Sequence, residues 1–142
     1  MQKVQFSNAD SNASFLTNRK LLKIFLPQII SFYKMNYNNL TIVFCTDDYL
    51  LDINQKYLNH HFYTDIITFN LSSIPNTVEG EIYISVDRVK ENANKHHSTL
   101  ITEMHRVICH GVLHLCGLKD KSKKEGVLMR QAEDYWLSQY FK

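Results

Sequence analysis

Glycine and proline are scarce in this chain, four and two among 142 residues, which excludes collagen-like and low-complexity architectures. Cysteine is too sparse for a disulfide framework. Cys45, Cys109 and Cys116 are an odd number with no CxxC spacing, so reduced thiols in a reducing compartment are expected. A dominant charge is also missing: 16 Lys+Arg against 14 Asp+Glu leaves +2, which neither demands nor excludes a nucleic-acid partner. Long apolar runs are absent as well. The best, IFLPQII at 24–30, is interrupted by Pro27 and Gln28, far short of the ~20 residues that a bilayer span needs. The N-terminal MQKVQFSNADSN lacks the apolar core of a secretory signal, so a cytoplasmic setting with no membrane partner is expected.

What is present fits one folded domain over residues 1–142. Hydrophobic residues make up 44% and charged residues 21%, and a chain of this length buries enough surface for a real core. Alternation in KVQFSN predicts a first strand. Apolar positions Leu21, Leu22, Phe25, Leu26, Ile29, Ile30 and Tyr33 predict a helix from Asn18, capped by Thr17, to about Tyr37, kinked or split at Pro27. LTIVFCT at 40–46 reads as a buried strand, followed by a short helix to Tyr57 with Asp47 or Asp48 as its cap. DIITFNL at 65–71 and EIYISV at 81–86 predict a hairpin, with Gly80 in the connecting loop. Three helices complete the chain: Asp87 to Lys95, Thr99 to Cys116 stopped by Gly117, and Lys124 to Tyr140 with Leu128, Ala132, Trp136 and Tyr140 on one face. The fold class expected is α+β, a single domain with about four strands in a mixed sheet covered by helices.

The chemistry concentrates in HRVICHGVLHLCGLKD, residues 105–120. At ~100° per helical residue, His110 and His114 lie within about 40° of each other on neighbouring turns. Gly117 permits a left-handed step that ends the helix and lets Asp120 turn back toward the same point. Two imidazoles, one carboxylate and an open fourth position are the donor set of a catalytic zinc, at the end of a central helix; nickel, manganese and iron also suit such a set. Cys109 and Cys116 fall on a core stripe with Val112. His105 points elsewhere, to the surface or behind the ligands. Glu103 lies two turns away on the ligand stripe and reads as a solvated charge. No general base emerges, because Gly111 stands where H-E-x-x-H zinc proteases carry their glutamate. That weakens amide hydrolysis relative to phosphodiester cleavage, in which a metal polarises a phosphoryl oxygen.

The stretch from His110 to Asp120 resembles the signature H-G-x-L-H-L-x-G-Y-D-H of YbeY-type endoribonucleases, a bacterial, zinc-dependent family that matures ribosomal RNA. Its first two histidines fall on His110 and His114, its third on Asp120, and the aspartate before that on Lys119. A second match lies in INQKYLNHHFYTDIITF, residues 53–69, where Thr64, Asp65, Ile66 and Phe69 align and Leu58 takes the place of a family arginine tied to catalysis or RNA contact. A third is GEIYISVD, Gly80 to Asp87. The resemblance implies a cytoplasmic hydrolase acting on single-stranded ribosomal RNA at the 16S 3′ end during ribosome biogenesis, with the small ribosomal subunit as partner. The nucleophile is water or the RNA's own 2′-hydroxyl. Arg88, Lys90, Lys95, His60 and His61 are candidate phosphate contacts around the cleft, and Lys119, Lys121, Lys123 and Lys124 sit beside the ligands. Asp65 is expected to orient loops rather than move protons. Two rivals are a small zinc protease and a non-catalytic ribosome-assembly factor with a structural metal.

Overall fold

The computed structural model describes residues 2–142. The elements run β1 (Lys3–Asn8), α1 (Arg19–Phe32), β2 (Asn36–Cys45), α2 (Asp47–Leu58), β3 (Ile66–Asn70), β4 (Thr77–Ser85), α3 (Val86–Lys95), α4 (Leu100–Leu115) and α5 (Lys123–Tyr140). The four strands form one mixed sheet in the order β1-β2-β4-β3, parallel except for the β3–β4 hairpin. This is the α+β architecture that the sequence pattern predicts. No helix of the described residues is long and apolar enough to cross a membrane.

Strand alternation gives the sheet two apolar faces. Ile82 and Ile84 of β4 join the main core with Leu22, Leu26, Ile29 and Ile30 of α1 and Met104, Ile108 and Val112 of α4. Cys45, Leu50, Ile53 and Ile67 form a smaller cluster beneath α2, with Tyr83 and Phe69 packed against it. Gly111 is where α4 comes closest to the sheet: a Cβ there would lie 2.9 Å from Ile82 Cγ2 and 3.0 Å from Ile66 Cδ1.

Several expected boundaries shift. Pro27 lies inside an uninterrupted α1; the buried Leu22, Phe25, Leu26, Ile29 and Ile30 hold both halves on one core face, which outweighs one lost backbone hydrogen bond. The residue before α1 is Asn18, not Thr17, and the helix ends at Phe32 because β2 takes over at Asn36. The cap of α2 is Thr46, whose Oγ1 accepts the Tyr49 N–H at 3.2 Å, leaving Asp47 and Asp48 in the first turn. Gly80 lies within β4 rather than in a loop. On α5 the inward face is Met129, Glu133, Trp136 and Leu137, while Leu128 is exposed.

His105 is a correction of another kind. It is 5% exposed, packed against the rings of Tyr140 and Phe141, with Nδ1 2.7 Å from the Ile101 carbonyl. It belongs to the core, not the surface, and burial pushes its pKa below the ordinary histidine value. The unfolded chain therefore binds a proton at about pH 6.5 that the native His105 resists. Its contribution to stability is full above that pH and is lost as pH falls through the lower, native pKa. Denaturant titrations of wild type and His105→Phe are expected to diverge as pH falls below about 6.5, with the wild type losing more; parallel curves would refute the assignment.

Candidate metal centre and its cleft

Helix α4 carries two of the three predicted ligands, and its C-terminal turn delivers the third. Thr99 caps the helix start with its hydroxyl, and Gly117, at φ +102°, makes the left-handed step that ends it. The chain then passes through Asp120 before Ser122 and Glu125 form a capping box that starts α5. Among the described residues, His110, His114 and Asp120 offer one donor atom each within 4.8 Å of one another. Nε2 of His110 lies 3.3 Å from Asp120 Oδ2, and Nε2 of His114 lies 3.1 Å from Asp120 Oδ1. The three side chains meet as expected from spacing.

The structure adds a residue that the sequence reading missed. Glu133 of α5, 5% exposed, places Oε2 2.7 Å from His110 Nδ1. A carboxylate there accepts a hydrogen bond from Nδ1–H and so keeps the proton on Nδ1, which leaves the Nε2 lone pair of His110 free to meet a cation. Burial disfavours the imidazolium, but the hydrogen bond and charge of Glu133, together with Asp120 and Asp65, outweigh it and raise the His110 pKa. The same negative field favours a divalent ion in place of the proton. The donor set and its surroundings therefore fit a metal. Glu133 is in turn held by Arg106 Nη1 at 3.2 Å, and Arg106 also reaches Asp134 Oδ1 at 2.8 Å.

These groups line a cleft of about 430 Å³ between α4, α5 and the start of β3. Asp65 lies within it; burial, the largest influence, raises its pKa, partly offset by the positive charge of His110. Glu103 also lines the cleft, 4% exposed and 3.8 Å from His96 Nδ1, so it is not the solvated charge expected. It does not hold His110; Glu133 does. The cations lining the cleft are Arg106 and Arg130. Arg88 is engaged elsewhere, paired with Asp47 and Glu91, and Lys90 and Lys95 do not line the cleft. His60 and Leu58 border a neighbouring recess instead. Lys119, Lys121, Lys123 and Lys124 are exposed around Asp120. Cys109 and Cys116 stay structural, since burial pushes both thiols up to about 12.

Arg106 lies one turn before His110, and Arg130 one turn before Glu133. An i, i+4 search backward from the ligands finds the first, but only the docking of α5 on α4 reveals the second pair.

The whole chain can be placed among known proteins. A family model described as Endoribonuclease YbeY matches residues 4–141. A relative of that name from Cytophaga hutchinsonii is 47% identical over 123 residues, 87% of this chain and 86% of its own. Another from Christiangramia forsetii is 38% identical over 134 residues, 94% and 93% of the two chains. The solution structure of TM1509 from Thermotoga maritima is similar with a TM-score of 0.69 at 26% identity, covering 98% of this chain and 89% of that one. The match over residues 4–141 takes in the strands under the cleft, helix α4 with His110 and His114, and the turn that holds Asp120: the chain belongs to the endoribonuclease YbeY family.

Proposed function

We propose that this chain is a zinc-dependent endoribonuclease domain, spanning residues 1–142, that cuts single-stranded ribosomal RNA during 16S 3′-end maturation on the small ribosomal subunit in the cytoplasm. The observation that carries the reading is the convergence of His110, His114 and Asp120 in a cleft where Glu133 orients one imidazole from behind. Those three residues would hold the ion, which supplies Lewis-acid polarisation of a phosphoryl oxygen and acidifies water at neutral pH. Arg106 and Arg130 bring positive charge to the cleft wall for a phosphate group.

In place of the loop-orienting role expected from the sequence, Asp65, which lines the cleft, supplies the base that the sequence pattern does not assign. It is near enough to His110 for each to shift the other's pKa, and its own is raised by burial. A carboxylate of raised pKa in the cleft is suited to accept the proton of the attacking hydroxyl, whether of water or of the ribose. The protease reading fares worse: Gly111 faces the sheet with no room for a Cβ, so a glutamate has no place at that position.

The test is cleavage of a single-stranded RNA, halted by chelation and restored by zinc, with casein untouched. Asp65→Asn is expected to retain zinc while turnover falls at least about 100-fold. Hydrolysis of casein without cleavage of RNA would overturn the reading, and full turnover by Asp65→Asn would remove that residue from the mechanism.

A further inference from the structure

Across the free edge of β3 from the cleft lies a second recess, of about 210 Å³. Thr64, Ile66 and Thr68 line both spaces, so an extended strand crossing the metal group reaches the recess over one edge strand. His60 and Phe62 border it with their rings stacked, centroids 5.1 Å apart and planes 20° from parallel. Phe62 is 58% exposed.

This pair is held in place. Asn54, buried in α2, donates from Nδ2 to the Phe62 carbonyl at 2.9 Å, and its backbone carbonyl accepts the His60 N–H at 3.0 Å. Asn59 turns the chain between helix and loop in the left-handed region, at φ 54°. The backbone on both rings is thus tied to one buried residue, through its side chain to Phe62 and its main chain to His60, while the Phe62 ring remains open to solvent. Fixing a surface ring in advance lowers the entropy lost when a flat ligand covers it.

We propose that the His60–Phe62 pair is a stacking platform for an unpaired nucleobase of the RNA strand whose phosphate lies in the metal cleft. The proposal rests on the ribonuclease reading of that cleft. An aromatic face accepts any base, so the platform confers little sequence preference. It does require an accessible base face, which a strand has when unpaired and a stacked duplex denies. The aromatic pair therefore contributes to a preference for single strands without reading sequence.

The test uses a short single-stranded RNA carrying 2-aminopurine at successive positions, titrated with the full chain in EDTA so that the strand stays intact. Wild type is expected to alter the fluorescence through stacking at one position. Phe62→Ala is expected to lose that signal and to raise Kd about tenfold, with Phe62→Trp restoring affinity. Phe62 is largely exposed, so the alanine variant is expected to keep the wild-type circular dichroism and Tm. Unchanged signal and affinity in Phe62→Ala would overturn the platform while leaving the ribonuclease reading intact. A wild-type chain that neither binds nor cuts the strand would overturn both.

Discussion

His114→Ala is expected to abolish RNA cleavage, with a fall of about a thousandfold or more, while leaving the fold in place. The side chain is 34% exposed, so its removal opens no cavity in the core, whereas an ion held by two groups instead of three is lost. Several kcal/mol of transition-state stabilisation go with the ion. Metal content measured on the purified variant should fall with activity. Asp120→His separates ligand identity from ligand presence: it replaces an oxygen donor with the nitrogen of the family signature and is expected to keep both metal and cleavage. Glu133→Gln should be intermediate, weakening metal affinity by about 10-fold to 100-fold because it orients His110 without replacing it. If His114→Ala cleaves RNA at the wild-type rate, the metal group is not the catalytic centre.

Gly80→Ala is expected to be the most destabilising single methyl addition among the glycines. Its Cβ would lie 2.4 Å from the Phe69 carbonyl oxygen and 3.3 Å from both δ carbons of Leu115. The first of these is backbone in the neighbouring strand, which cannot rotate away, so relief requires parting β3 from β4 where Asn70 pairs with Gly80. A loss of about 3 kcal/mol follows, or roughly a 10 °C fall in Tm. Gly126→Ala is the matched control. It adds the same methyl inside α5, where the nearest atom is 4.0 Å away, and alanine's helix propensity should raise stability by about 0.5 to 1 kcal/mol. Calorimetry that found equal effects for the two would refute the packing argument. The clash also bears on the cleft, because the same hairpin positions Asp65 and Ile66 opposite α4.

Local interactions explain which parts were readable in advance. The α4 pattern is legible because helical spacing alone places His110 over His114, and a glycine after the last apolar residue marks the turn that returns Asp120. The β3–β4 hairpin is likewise readable from two apolar runs separated by turn residues. Pro27 and Gly80 mislead because local propensity is overruled there: one by a buried helix face on both sides of the proline, the other by close strand pairing that tolerates only a missing side chain.

The amino-acid sequence by itself determined the helices and strands, the donor pair on α4, its acidic partner and the family resemblance, since each depends on residues within a few turns or on a contiguous motif. Tertiary structure alone decided the strand order, the partnership of Glu133 with His110, the burial of Glu103 and His105, and the entry of Asp65 and Arg130 into one cleft. His110 and Glu133 are 23 residues apart, and no helical or strand periodicity extends across the turn between their helices. Their meeting depends on how α5 docks against α4, which is set by the packing of the whole core.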